Sequence, residues 1–143
     1  MSTSNDGRVV IPFHDHVGIE FLPGGARIPD AMELTNHFGS VHGSALFAVG
    51  EVAAARAVVR LLGDDVAGFR AITRKAEIRY LKMARGAITA ETTLQTDHAG
   101  LLAEIEREGR ARPVGAVVLK DDSGLVVGEL TVESHVSRAR TPT

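Results

Sequence analysis

Three consecutive residues, His42-Gly43-Ser44, lead straight into a proline-free stretch rich in Ala, Val and Leu that runs to Leu62. A helix beginning there presents unpaired backbone N–H groups and the positive end of its macrodipole. Gly43 has no side chain to keep a ligand carbonyl away from those groups, so the position suits an oxyanion hole. Two turns further on, Glu51 supplies a carboxylate. At about 100° per residue it points about 140° away from Arg56, which neighbours Arg60, and it has Phe47, Ala48, Ala54, Ala55 and Val58 around it. A poorly solvated carboxylate is reactive as a base or a nucleophile. A donor for developing negative charge together with such a carboxylate is the minimum equipment for acyl transfer to water.

Each feature also has a plainer reading. A lone Glu on an apolar helix face can bind a backbone group or a distant Arg. His-Gly before a helix can be simple capping, with His42 bracing the loop rather than exchanging protons. Asn36 and His37, in the loop Thr35 to Gly43, also fit turn roles. Arg74, Lys75, Arg79, Lys82 and Arg85, interrupted by Glu77, form either a solvated strand face or a phosphate-binding patch. Metal ligation is not expected: the only close pair of alternate histidines, His14 and His16, lacks carboxylate-supported ligand spacing.

The elements that must position these residues follow from apolar runs and turn residues. Val17 to Leu22 and Ala31 to Leu34 read as short strands, separated by turns at Pro23-Gly24-Gly25 and Pro29-Asp30. Ser44 to Leu62, ended by Gly63-Asp64-Asp65, reads as a helix of about five turns, so apolar that other structure must wrap it. Phe69 to Leu81, Ala87 to Leu94, Val114 to Lys120 and Leu125 to Val136 read as strands. Within the first of them Ala76, Ile78 and Tyr80 alternate with Lys75, Glu77 and Arg79, as on a sheet with one buried face. Asp121-Asp122-Ser123-Gly124 signals a hairpin, and Leu101 to Glu108 fits either a short helix or an edge strand.

The 143 residues suit one domain, expected over 13–136, with a loose arm over 1–12 and a tail over 137–143. The fold class expected is α+β, a curved antiparallel sheet around one long central helix. A second copy is needed to cover the helix and protect the sheet edges, giving a homodimer or a dimer of dimers. With 44% hydrophobic and 24% charged residues and no long uncharged apolar run, the chain reads as soluble, without a membrane span. No secretory pattern opens the sequence, so the expected compartment is cytoplasmic. Cysteine is absent, which removes thiolate and disulfide chemistry. A net charge of -2 with both signs interspersed, and few aromatics, argues against a nucleic-acid surface.

The spacing Asn36-x5-His42-Gly43-x7-Glu51, followed by Thr73 and Tyr80 in the next strand, resembles the hotdog-fold acyl-CoA thioesterases of the PaaI-like branch, related also to 4-hydroxybenzoyl-CoA thioesterases. The resemblance covers Val17 to Val136. It implies a hotdog fold and thioester hydrolysis without a cofactor beyond the coenzyme A of the substrate. It also implies roles. Gly43 matches the residue whose N–H polarises the thioester carbonyl, and Asn36 the asparagine beside that carbonyl or the attacking water. Glu51 matches the general base or nucleophile, which in such enzymes reaches over from the neighbouring subunit. Thr73 matches a Ser or Thr that orients the water, His42 a supportive histidine, and Lys82 and Arg85 basic residues near the coenzyme A phosphates. The PaaI-like pattern commonly has His-Gly-Gly and Asp where this chain has His42-Gly43-Ser44 and Glu51. An alternative class is a non-catalytic acyl-CoA or fatty-acyl binding protein, whose signature would be loss of the acid. A hotdog dehydratase would place its histidine in a Pro- and Gly-rich loop, and no proline lies between residues 30 and 112.

Overall fold

The computed structural model describes residues 10–140. Most of the expected arm over 1–12 and the end of the tail over 137–143 thus lie outside the described residues. The elements are α1 (Pro12–Val17), β1 (Glu20–Leu22), β2 (Gly25–Ile28), α2 (Gly43–Leu62), β3 (Phe69–Tyr80), β4 (Ile88–Leu94), α3 (His98–Glu108), β5 (Val114–Asp121) and β6 (Val126–Arg138). The six strands form one antiparallel sheet in the order β1-β2-β4-β5-β6-β3. The long helix α2 packs against β2, β3, β4, β5 and β6, so the sheet curls around it.

Apolar content drives that arrangement. Val49 and Ala53 of α2 are fully buried, against a sheet surface that includes Ala26, Ile28, Ile88, Leu119 and Val127. The helix comes so close that a Cβ on Gly50 would lie 2.5 Å from Leu130 Cδ1 of β6. A second cluster joins Val58 and Leu62 at the end of α2 to Leu101, Ile105, Ala111 and Val136.

Several expectations change or are settled. The second short strand is Gly25–Ile28, where a turn was expected, because Ala26 and Ile28 alternate into the core. Met32–Leu34 is instead a single 3-10 turn, closed by the Thr35 hydroxyl donating to the Met32 carbonyl. Val17 ends α1 rather than starting a strand, since Gly18 adopts a left-handed conformation, φ 82°, that stops the helix. The ambiguous segment is helical: Leu101 and Ile105, four residues apart, are both buried, and Asp97 caps the start by accepting from the Gly100 N–H. The buried face expected on β3 is only half-buried at Ala76 and Ile78 and exposed at Tyr80, because β3 is an edge strand. Among the described residues no helix is long and apolar enough to cross a membrane.

Candidate active site

Helix α2 starts one residue earlier than its apolar run, at Gly43, with His42 as its N-cap. His42 Nδ1 accepts from the Ser44 N–H at 2.9 Å, so this ring braces the turn. Among the described residues the Gly43 N–H has no hydrogen-bond partner. The Tyr80 ring at the end of β3 packs over Gly43, and a Cβ there would sit 3.2 Å from three of its atoms. The Tyr80 hydroxyl donates weakly to the Gly43 carbonyl at 3.4 Å.

A groove of about 500 Å³ opens beside Gly43, lined by Asn36, Phe38, Leu46, Tyr80 and Lys82 among others. Asn36 is there as expected, but its Oδ1 accepts from the Phe38 N–H, the Ser40 N–H and the Ser40 hydroxyl. That oxygen organises the loop, which leaves only the amide nitrogen to face a ligand. The His37 ring packs at a tilt against Phe38, with ring centroids 4.0 Å apart. Arg85 Nη1 donates to the Gly39 carbonyl, so Arg85 is tied to the loop while Lys82 faces the groove.

Glu51 is half-buried on α2, and the Thr73 hydroxyl donates to its Oε1 at 2.9 Å. Thr73 sits where β3 slips register against β6, between Thr73 and Lys75. Such a bulge re-aims a side chain relative to its strand, and this one brings a hydroxyl onto the helix. Glu51 lies in a second cavity of about 240 Å³, with His14, Val58, Ile72 and Ser134 in its wall. His14 is the first of the two alternate histidines, and no sequence pattern marks it for this cavity. Its Nδ1 is buried with no hydrogen-bond partner, and its ring meets Phe21 edge-on. Among the described residues no three His, Cys, Asp or Glu side chains gather into a metal-holding cluster.

The two halves of the site are separate in one chain. Gly43 and Glu51 are eight residues apart on one helix, about 12 Å along its axis, too far to touch one thioester. A basic groove of about 550 Å³ that includes Arg70, His135, Arg138 and Arg140 shares Ile72 with the Glu51 cavity. Sequence reasoning missed it because Arg138 and Arg140 fall in the segment taken as a tail. The pairing of β3 with β6, Arg70 opposite Ser137, is what gathers it.

An antiparallel sheet curled around one long helix, with a loop and a glycine at the helix start, is the hotdog fold, as the sequence resemblance implied. Within that fold the chain belongs to the family described as Domain of unknown function (DUF4442), whose model matches residues 22–136. No match was found among curated proteins. Among solved structures, PA5026 of Pseudomonas aeruginosa, described as a protein of unknown function and probable thioesterase, is 28% identical with a TM-score of 0.75, over 90% of this chain and 89% of that one. BH2602 of Bacillus halodurans, solved with CoA, is 21% identical with a TM-score of 0.72, over 90% and 77%. The E. coli PaaI protein of the phenylacetic acid degradation operon is 17% identical with a TM-score of 0.69, over 91% and 86%. The PaaI-like resemblance is thereby matched in fold.

Proposed function

We propose that this protein is an acyl-CoA thioesterase assembled from two copies of the chain. The observation that carries the reading is the Thr73–Glu51 hydrogen bond, which aims a carboxylate into a cavity walled largely by apolar groups. In the reaction, the Gly43 N–H donates to the thioester carbonyl oxygen. Glu51 takes a proton from water as it attacks the carbonyl carbon, and the tetrahedral intermediate then expels the coenzyme A thiolate, which is protonated. In the other route the Glu51 carboxylate attacks the carbonyl carbon directly and expels the coenzyme A thiolate, giving an anhydride that water cleaves to the free acid and the regenerated Glu51 carboxylate. Asn36, through its amide, sits beside the carbonyl or the water, and Thr73 holds the carboxylate.

The 12 Å gap between Gly43 and Glu51 supports a site shared between subunits, with the carboxylate supplied by the second copy. So does β3, a 12-residue edge strand with Ile72 47% and Tyr80 57% exposed. An edge of that length and apolarity favours pairing with another strand. Binding of CoA by BH2602 and the probable thioesterase description of PA5026 agree with the substrate class. Lys82 and the Arg70, Arg138 and Arg140 groove offer cations for the coenzyme A phosphates on either side of the reacting centre.

The test is thiol release from short, medium, long-chain and aromatic acyl-CoAs by the native protein and Glu51→Ala. Turnover that disappears in a folded Glu51→Ala protein supports the enzyme and names its acyl class. Tight acyl-CoA binding with no turnover across the panel supports the non-catalytic binder.

A further inference from the structure

Strand β6 turns Leu130, Val132, Ser134 and Val136 toward the core, and all four are buried. Three of them are apolar and pack there; Ser134 is a polar side chain on that apolar stripe, with 4% of its surface left. Among the described residues the other buried polar side chain is Ser40, whose hydroxyl donates to Asn36 Oδ1. The Ser134 hydroxyl has no such partner among the described residues. It also differs from His14 Nδ1, Arg56 Nε and Thr92 Oγ1, which are unpartnered but cut off from any open space. Ser134 lines the cavity that holds Glu51.

Strand pairing says where in that cavity it stands. Ser134 lies directly opposite Thr73, in the last β3–β6 pair before the bulge. Side chains directly opposite share one face of a sheet, with Cβ atoms about 4.5–5.5 Å apart. The single hydroxyl proton of Thr73 goes to Glu51 Oε1. The Ser134 hydroxyl is therefore one side chain away from the carboxylate. Apart from these three residues and His14 the wall is apolar, with Val52, Val58 and Ile72 in it. A water in such surroundings is held where two or more polar groups can bond it, and the free oxygen of Glu51 with the free hydroxyl of Ser134 makes such a place.

We infer that Ser134 is a further catalytic residue, whose hydroxyl oxygen holds the attacking water against Glu51. The inference rests on the thioesterase reading and deepens it. The water gives one hydrogen bond to Glu51 Oε2 and the other to Ser134 Oγ, which leaves its lone pairs to face the thioester carbon. As the oxygen–carbon bond forms, the first hydrogen passes to Glu51 as a proton, and the carbonyl electron pair moves onto the oxygen held by the Gly43 N–H. When the carbon–sulfur bond breaks, the thiolate takes that proton and Glu51 is a carboxylate again. Ser134 keeps its own proton throughout. Water held in this way favours Glu51 as a base over its direct attack on the carbonyl.

Steady-state kinetics test it, on whichever acyl-CoA of the panel the native protein turns over fastest. Ser134→Ala should lower kcat about tenfold and leave KM within about twofold, the loss expected for one hydrogen bond made in the transition state. Ser134→Thr and Ser134→Val are alike in shape and differ in the hydroxyl, so the threonine variant should be about tenfold faster than the valine variant. In a Glu51→Gln background Ser134→Ala should cost less than about twofold more, because the water it holds no longer meets a base. Equal kcat for the threonine and valine variants overturns the inference, and so does an undiminished loss from Ser134→Ala in Glu51→Gln; either result leaves Ser134 a core residue only and the thioesterase reading intact. A native protein inert on the whole panel overturns that reading and this inference together.

Discussion

The Thr73 hydroxyl, on the bulged edge strand, donates to Glu51 Oε1 on the central helix across 2.9 Å. That bond fixes one carboxylate oxygen and leaves the other, among the described residues, without a partner. In the proposed hydrolysis, a general base positioned in this way would contribute about 10²–10⁴-fold. Glu51→Gln keeps the shape and the bond from Thr73 but cannot accept the proton, so kcat/KM for acyl-CoA hydrolysis should fall at least about 100-fold. Thr73→Val keeps the carboxylate and loses its anchor, for which about tenfold is expected, mainly in kcat. Steady-state kinetics on the two variants check the order, and a Thr73→Val loss equal to that of Glu51→Gln would contradict it.

Gly43 is constrained by what lies over it. A methyl there would sit 3.2 Å from Cε1, Cζ and Oη of Tyr80. Tyr80 is 57% exposed and can shift, so Gly43→Ala should fold with Tm within a few degrees of native. The same methyl obstructs the approach of a carbonyl to the helix N-terminus, and loss of an oxyanion donor costs about 10²–10³-fold in kcat. The expected result is a folded, nearly inactive protein. Tyr80→Phe, which removes only a long 3.4 Å hydrogen bond, should retain activity within about threefold.

Some of this was legible in the sequence, for physical reasons that differ by element. Helix α2 was legible because twenty residues without proline, rich in Ala and Leu, have little alternative, and the solitary Glu51 marked one face by charge alone. Thr73 came through the family resemblance, as a residue that orients water; its hydrogen bond to Glu51 was not legible, since no local pattern joins residues 22 apart. Strand β2 was hidden because its four residues open with Gly25, which reads as a turn. Its glycine is required by a distant partner: a Cβ there would overlap the Ala90 carbonyl oxygen of β4. The basic groove was hidden for the same reason, since only strand pairing brings Arg70 beside Ser137 and Arg138. Asn36 was legible as both a turn and a site residue, and its Oδ1 serves the turn.

Packing of α2 on the sheet makes a stability prediction. Gly50 is buried, and a Cβ would approach Leu130 Cδ1 to 2.5 Å and Cδ2 to 2.8 Å. Alanine gains about 1 kcal/mol of helix propensity over glycine, but overpacking a core costs about 1–3 kcal/mol. Gly50→Ala should therefore lose about 1 kcal/mol net, read as a lower midpoint in urea. Leu130→Ala alone should cost about 2–5 kcal/mol through the cavity it leaves. Combining them should cost less than the sum, because the new methyl occupies part of that cavity. An additive double mutant would mean that the helix does not rest on Leu130.

The β5–β6 turn makes a pH prediction whose sign can be worked out. Asp121 Oδ1 accepts from the Ser123 hydroxyl at 2.7 Å, the Ser123 N–H at 2.9 Å and the Leu125 N–H at 3.1 Å. The Ser123 hydroxyl bond is the largest effect and, with the two weaker backbone bonds from Leu125 and Ser123, holds the carboxyl below its usual 3.8, against an opposing effect of burial that ranks second. These donors favour the ionised form, so the folded chain binds the proton more weakly than the unfolded chain. The contribution to stability is then complete above the ordinary carboxylate range and is lost as pH falls through the lowered value. In Asp121→Asn the side-chain oxygen still accepts but no longer titrates, so the turn should lose this acid sensitivity. Amide chemical shifts of Ser123 and Leu125 followed from pH 6 downward should report titration below 3.8 in the native chain and none from this group in Asp121→Asn. A midpoint at or above the ordinary value would mean that the turn oxygens do not discriminate between the two forms of Asp121.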